Sequence, residues 1–378
     1  MINLLLAELL TLLHFSFVVF AVLGGFLIKP FPRLIWLHLP ALAWGIWIEL
    51  SGGICPLTPL ESDYRQLAGL DGYEQGFLVH YLGGLLYPGY LTLEIQRFFA
   101  GVLATVNLAA YLLYLQPRWE VKWPLQAPSY RQYSMLALTL LALLSIFQLP
   151  PMAQDPIYHQ FADQRPLWGF NHGLNSLSNL AILLPGLWGL WQLLQPGQTG
   201  PAKLPLLVFC LGAIATGLGS FYYHLEPNNF GLLIDRLGMS LAFAGFLSLA
   251  LGSQMGWQGG KWLQALLIFL FMGAVVYWYG GELRGRGDLR LYGFVQFWPL
   301  LLIPYALAIY RGQGAGGRVL LECLGIYLLV FVGDRQDALI FDLLGHSLSG
   351  HSLKHLCSGW VILHLLRNRH HWVETAPP

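Results

Sequence analysis

The stretch LSGHSLKHL, residues 348–356, carries two histidines and a lysine inside a segment apolar enough to cross a membrane. An ionisable side chain at mid-bilayer costs about 2.5–3.5 kcal/mol on insertion scales, so each such residue needs a reason. His351 and His355 are four residues apart, and this spacing puts both imidazoles on one face of a helix, one turn above the other. The pattern predicts a membrane helix that presents two imidazoles together.

The composition of the whole chain is that of a polytopic membrane protein. Of its 378 residues, 56% are hydrophobic and 10% are charged, whereas soluble domains carry about 25% charged residues. The apolar runs are long and do not alternate, which favours helices over barrel strands. A net charge of +1 argues against nucleic acid as a partner. We therefore predict an all-α membrane protein.

The apolar runs predict about twelve transmembrane helices in two modules. A connector at 117–132, rich in proline, tryptophan and charge, separates them. Residues 1–116 are predicted to form a four-helix membrane domain. Residues 133–378 are predicted to form a second domain, with an extra helix at 133–152 and a seven-helix core at about 168–367. The runs lie near 3–28, 34–52, 76–94, 98–115, 133–152, 170–195, 204–223, 232–252, 261–279, 291–310, 318–333 and 347–366.

The loops between these runs indicate an orientation. With twelve spans and a cytoplasmic N-terminus, the inner loops of the second module hold more lysine and arginine than its outer loops. In the first module the outer loops hold more of these residues. We predict that both termini are cytoplasmic. We find no internal repeat linking the modules, which argues against an inverted-repeat transporter.

Three polar clusters interrupt the apolar runs of the second module. Ser220 and His224 are four residues apart, as are His351 and His355, and Asp235 begins the run between the two pairs. In the twelve-span topology all three clusters have one depth, in the outer part of the membrane. Nothing in the spacing of each pair requires this agreement, so the clusters are predicted to meet.

Three neutral imidazoles from two helices are typical of a catalytic zinc site, which leaves a fourth position to water. We predict one Zn²⁺ per chain, held by His224, His351 and His355. In this interpretation Asp235 accepts a proton from the water or orients it, and Ser220 donates a hydrogen bond to the water or to an oxyanion.

Each element has a plainer interpretation when taken alone. A pair of histidines in a membrane helix often makes helix-to-helix hydrogen bonds, and an aspartate near a helix start often interacts with the helix dipole. Lys354, about 60° round the helix from His351, either flanks the site to bind an anionic headgroup or an amide oxygen, or extends to the membrane interface.

This set of residues resembles the alkaline ceramidase family, part of a superfamily of seven-helix membrane hydrolases that includes the adiponectin-type receptors. The resemblance covers about residues 155–367. It rests on three elements: Ser-x-x-x-His, an aspartate eleven residues after that histidine, and His-x-x-x-His in the last helix. Supporting stretches are NSLSN at 175–179, YYHLEP from residue 222, GDLRLYGFVQF at 287–297 and SGHSLKHL at 349–356.

The resemblance implies a zinc-dependent hydrolase that cleaves the amide of ceramide-like lipids, with a role in sphingolipid or related lipid metabolism. It implies the same three zinc ligands, with Asp235 and Ser220 around the water. Tyr223, Asn175, Ser178 and Asn179 lie in the resembling stretches and are candidates for contacts to the substrate or to the ligands. The animal enzymes bind calcium through an acid-rich stretch, where this chain has only two aspartates, Asp155 and Asp163. This difference argues against calcium binding by this chain.

The N-terminal module resembles a small bacterial membrane family (domain of unknown function 2784). The likeness includes LLHFSFVVFAVLGGF and LHLPALAWGIWIELSGGICPLTPLE, and it brings no activity with it. The module buries several polar groups, among which Glu49 and His80 are predicted on the same membrane face and could share a hydrogen bond. CPLTPLE at 55–61, with two prolines, is interpreted as a loop.

Two functions remain open at this point. The leading hypothesis is an amidase of N-acyl lipids in a bacterial inner membrane, with its zinc site toward the non-cytoplasmic side. The alternative is a receptor or scaffold that zinc stabilises, without significant turnover. The sequence indicates no particular protein partner.

Overall fold

The computed structural model describes residues 2–74, 76–86, 92–115, 129–257, 260–311 and 314–375. Regular structure in these residues is almost entirely helical. The chain forms two compact units, Met1–Pro150 and Pro151–Pro378.

The described residues of the first unit form six α-helices. Three segments among them are long and apolar enough to cross a membrane: Ile2–Leu27, Pro32–Ser51 and Leu93–Leu115. Part of the predicted run at 76–94 and most of the connector at 117–132 lie outside the described residues. The helices are α1 Ile2–Leu27, α2 Ile35–Ser51, α3 Leu57–Leu67, α4 Phe77–Leu86, α5 Leu93–Leu115 and α6 Tyr130–Ile146.

The segment predicted as a loop at 55–61 is instead the start of a helix. α3 begins at Leu57, with Pro56 as its N-cap and Pro59 in its first turn. Proline is tolerated there because the first N–H groups of a helix have no partner within the helix. The two prolines therefore mark the beginning of a helix, and the loop interpretation was wrong.

Helix α3 buries the carboxylate of Glu61 in the first unit. Its Oε1 accepts hydrogen bonds from the Tyr81 hydroxyl at 2.7 Å and the Thr11 hydroxyl at 2.8 Å. His80 stacks on the Tyr73 ring, with centroids 3.9 Å apart. Glu49 Oε2 has no hydrogen-bond partner among the described residues, so the suggested hydrogen bond between Glu49 and His80 is not formed through this oxygen.

Helix α6 packs with the first unit, although the sequence placed it in the second domain. The Tyr130 hydroxyl donates to the Leu112 carbonyl of α5 at 3.0 Å. A Cβ atom at Gly101 of α5 would collide with Ser145 of α6, so these helices are in close contact. Small residues at this interface allow the approach, and the boundary between the units follows α6 rather than preceding it.

In the second unit, the residues that the structure describes form ten α-helices and a two-stranded antiparallel sheet. Of its helical segments, six are long and apolar enough to cross a membrane, which makes nine in the part of the chain that the structure describes. The helices are α7 Gly173–Leu177, α8 Leu180–Leu194, α9 Lys203–Leu225, α10 Asn229–Met255, α11 Gly260–Glu282, α12 Arg290–Phe297, α13 Pro299–Ile309, α14 Ala315–Arg335, α15 Asp337–Leu343 and α16 Gly350–Arg367. The strands are β1 Gln198–Thr199 and β2 Glu374–Thr375.

Glycines fix the contact between α9 and α10. Gly231, Gly238 and Gly245 recur every seven residues on α10, so they lie on one face of the helix. Cβ atoms at Gly238 and Gly245 would meet the backbone of α9, at Thr216 and Phe209 respectively. This close antiparallel contact brings the end of α9 beside the beginning of α10, where the predicted site residues lie.

Candidate metal centre and cavity

The structure brings together the three histidines that were predicted to converge. His224 lies at the end of α9, and His351 and His355 lie in the first two turns of α16. All three are buried, and one candidate ligand atom from each lies within 4.8 Å of the others. The Nε2 atoms of His224 and His351 are 3.1 Å apart.

Hydrogen bonds at Nδ1 determine which nitrogen of His351 and His355 can bind a metal. His351 Nδ1 is 2.7 Å from Asp334 Oδ1, and a carboxylate accepts, so this nitrogen carries the proton. His355 Nδ1 is 2.8 Å from Ser178 Oγ, and the Ser178 hydroxyl donates to the Asn175 carbonyl at 3.1 Å. Ser178 therefore accepts from His355. Both imidazoles are therefore unprotonated on Nε2, the nitrogen that would bind a metal.

The trio fits a zinc ion by its chemistry and spacing. Zinc binds imidazole nitrogen at about 2.0–2.1 Å, so two ligands of a tetrahedral site are about 3.3 Å apart. The 3.1 Å between the Nε2 atoms of His224 and His351 is close to this value. Zinc-bound imidazoles usually donate their other N–H to an oxygen atom, as Nδ1 of His351 and of His355 does here. The arrangement could hold one divalent ion.

Asp334 is the residue of this site that the sequence did not reveal. It lies near the end of α14 and contacts His351, and its Oδ1 is also 3.3 Å from Lys354 Nζ. In the sequence, Asp334 is an acidic residue directly after the apolar run at 318–333. Charged residues are common at such positions, where a helix reaches the membrane interface, so the sequence does not single it out. Lys354 is paired within the site, so it does not follow the interpretation that extends it to the membrane interface.

Ser220 and Asp235 lie side by side and face the same cavity. Both are buried, and Ser220 interacts with the Asp235 carboxylate. Asp235 Oδ1 has no hydrogen-bond partner in the described part of the chain. A buried carboxylate oxygen without a donor is unusual, and it leaves this atom able to accept a proton or a hydrogen bond from a ligand.

The cavity has a volume of about 520 Å³ and lies within the second unit. His355 reaches its wall, together with Ser220, Asp235, Lys354 and Asp334, which form a polar region. The rest of the lining is mainly apolar and comes chiefly from α9, α10, α12, α13, α14 and α16, with Ile182 of α8. Its apolar members include Phe209, Phe246, Leu300, Leu324, Val361 and Ile362. Such a site suits an amphiphilic ligand.

The other candidate residues from the sequence have different roles. The Ser178 hydroxyl accepts from Nδ1 of His355, a predicted ligand. Asn175 Oδ1 accepts from the hydroxyls of Ser349 at 3.2 Å and Ser352 at 2.6 Å, which connects α7 with the beginning of α16. Asn179 donates to backbone carbonyls of its own segment. The Tyr223 hydroxyl pairs with His159 Nδ1 at 2.9 Å rather than with the trio.

The segment before α7 covers the trio. The Phe161 ring lies 4.6 Å from the His224 ring and 4.5 Å from the His351 ring, measured between centroids. Asp337 accepts from the Ala162 backbone at 2.9 Å and from the His351 backbone at 2.8 Å, so it fixes this segment to α16. Burial lowers the pKa of His159 in the same segment, which keeps its imidazole neutral at physiological pH.

The fold defines an all-α membrane protein in two units. Residues 4–112 match the family model described as "Protein of Unknown function (DUF2784)", which confirms the resemblance predicted for the N-terminal module. No curated protein and no solved structure matches the chain significantly. The resemblance of residues 155–367 to the alkaline ceramidases stays a prediction.

Proposed function

We propose that this protein is a zinc-dependent amidase, embedded in a membrane, that cleaves the amide bond of N-acyl lipids such as ceramide-like lipids. One observation carries the proposal. Three buried imidazoles converge, and hydrogen bonds at Nδ1 leave two of them unprotonated on Nε2, beside a largely apolar cavity.

The residues of the site divide into those that hold the metal and those that act on the substrate. His224, His351 and His355 would hold one Zn²⁺, which supplies a Lewis acid and lowers the pKa of bound water to about 7. Asp235 presents an unpaired Oδ1 that can take a proton from water and pass it to the leaving nitrogen. Ser220 would donate a hydrogen bond to the substrate oxygen by turning its single hydroxyl proton from Asp235 to the substrate.

The proposal includes the arrangement in the membrane. We infer about twelve spans, with both termini in the cytoplasm of a bacterium and a seven-helix core in the second unit that resembles the ceramidases. The polar region of the cavity then lies toward the non-cytoplasmic side of the inner membrane, where a lipid amide can enter from the outer leaflet.

The test combines metal analysis with an assay of fatty-acid release from a panel of N-acyl lipids. The purified full chain should hold about one zinc per molecule and release fatty acid, and Asp235→Asn should lose the activity but keep the zinc. The matched control is Asp342→Asn, because Asp342 is 69% exposed on α15. Absence of zinc from the wild type would refute the proposal. Zinc without hydrolysis of any substrate would favour the receptor or scaffold alternative.

A further inference from the structure

A buried guanidinium without a carboxylate partner lines the cavity. Arg236 follows Asp235 on α10 and is only 4% exposed. Its Nη1 is buried and has no hydrogen-bond partner among the residues that the structure describes. No carboxylate within the same described ranges forms an ion pair with it.

The neighbours of Arg236 hold its side chain without neutralising it. Nη2 donates to Gln154 Oε1 at 2.7 Å. The guanidinium carbon lies 4.3 Å from the ring centroid of Trp278, 4.6 Å from that of Tyr292 and 5.5 Å from that of Tyr158. Aromatic faces stabilise a cation, but they leave the donor Nη1 unused, and buried charges in proteins are usually paired.

The nearby carboxylates pair with other residues or are turned away from Arg236. Asp334 is paired with Lys354 and His351. Asp235 is adjacent to Arg236 in the chain, so the two side chains leave the helix about 100° apart, and Asp235 is turned toward Ser220. Glu282 Oε1 accepts from the Trp278 indole at 2.9 Å and from the Gln154 backbone at 2.6 Å. Arg335 also lines the cavity, but it is exposed. Arg236 is therefore the buried cation of the cavity that has no carboxylate partner in the described part of the chain.

The apolar part of the cavity limits what the anion can be attached to. Its volume of about 520 Å³ is typical of pockets that bind small ligands, and it is more than three times that of a dry cavity of about 150 Å³ that holds benzene. This space suits one alkyl chain, and the wall offers that chain aromatic and aliphatic side chains.

We infer that the cavity binds a single-chain amphiphile whose head carries a carboxylate or a phosphate, with Arg236 Nη1 as the donor to that anion. Together with the proposed amidase function, on which this step rests, the inference assigns N-acyl amino acids or similar anionic amides as the substrate class, rather than neutral ceramide. Binding of the anion does not itself require the metal.

The experiment measures binding with probes that contain no amide, so it is independent of hydrolysis. The full chain in a neutral detergent is titrated with tetradecanoate and with tetradecanol, which differ only in a carboxylate and a hydroxymethyl group. The wild type should bind tetradecanoate at least about tenfold more tightly, because hydrogen bonds to buried charged groups are strong. Acetate and inorganic phosphate should not displace it at equal concentrations.

Variants connect the preference to Arg236. Arg236→Gln should reduce the ratio of the two dissociation constants to within about twofold, and Arg236→Lys should keep part of the preference. The matched control is Arg165→Gln, whose side chain is 52% exposed and paired with Asp163, and it should keep the full ratio. Melting temperature and zinc content report whether each variant is folded.

Three outcomes would overturn the inference: equal binding of both probes by the wild type, an unchanged ratio in folded Arg236→Gln, or displacement of tetradecanoate by equal concentrations of acetate or phosphate. The first and third use only the wild type, so they decide even if a variant does not fold. Failure of the amidase proposal would leave the preference for the anionic probe intact. Conversely, hydrolysis of neutral amides without this preference would refute the anion site alone.

Discussion

Replacing Asp334 by asparagine tests how the candidate metal centre is oriented. The change keeps the size of the side chain but removes the negative charge that accepts from His351 Nδ1 at 2.7 Å. Removing the partner of a metal-bound imidazole typically costs about 10–100-fold in metal affinity. The His351 and Asp334 side chains are only 8% and 19% exposed, so solvent screens their contact little. We therefore expect the upper part of this range, which corresponds to about 2–3 kcal/mol.

The assay is a competition for zinc between the purified protein and a chelator of known affinity. The matched control is Asp342→Asn, because Asp342 and His346 form the same type of pair at 3.6 Å, with side chains 69% and 63% exposed. Exposed pairs contribute about 0–1 kcal/mol, so this variant should bind zinc as the wild type does.

Stability must be separated from metal affinity in this experiment. Asp334 also neutralises Lys354, whose Nζ is 3.3 Å from Oδ1, so Asp334→Asn leaves a largely buried cation without its partner. The double variant Asp334→Asn/Lys354→Met removes that cation and should recover melting temperature without recovering zinc affinity. If folded Asp334→Asn binds zinc within twofold of the wild type, our account of His351 orientation is wrong.

Two further predictions concern the neighbours of the trio and the helix contact behind it. Ser178→Ala should lower zinc affinity less than Asp334→Asn, by about threefold to tenfold in the same competition assay, because a neutral hydroxyl orients His355 more weakly than a carboxylate orients His351. An unchanged affinity would show that Ser178 does not orient the imidazole. Gly238→Ala should destabilise the protein by at least about 1–3 kcal/mol in thermal unfolding, because the new methyl group meets the backbone at Thr216. Gly273→Ala on α11, with no atom within 4 Å of its Cβ position among the described residues, is the control and should unfold like the wild type.

The parts of the site that could be predicted follow from short-range geometry. The i,i+4 spacing places His351 and His355 on the same face of a helix. Because successive spans cross the membrane in alternate directions, residues 224, 235 and 351 are predicted at the same depth. Both rules use only positions along the chain. The structure brings the histidines together as these rules predict, while the metal and the chemistry stay predictions.

The parts that were missed depend on contacts between distant segments. Asp334 and His351 are on different helices, and no local pattern relates them. The same is true of Arg236 and Gln154, which meet because the segment before α7 folds back over α10. In α3 the local pattern is ambiguous, because proline is common both in loops and in the first turn of a helix, and here it begins a helix. The first-unit location of α6 depends on its contact with α5, which hydropathy does not encode.

The polar residues around the candidate metal centre lie at helix ends, and this location explains how the helix bundle tolerates them. His224, Asp334 and His351 lie at the end of α9, the end of α14 and the beginning of α16, where backbone groups already need partners from outside the helix. The connecting segments supply them: Asp337 accepts the His351 backbone N–H, and His172 Nδ1 is 3.0 Å from the His224 carbonyl. A charged cluster in the middle of these helices would have no such donors and acceptors, because the backbone there is already paired. The same geometry leaves the apolar middle of the bundle to the cavity, so a ligand with a polar head and one alkyl chain meets both environments in a single orientation.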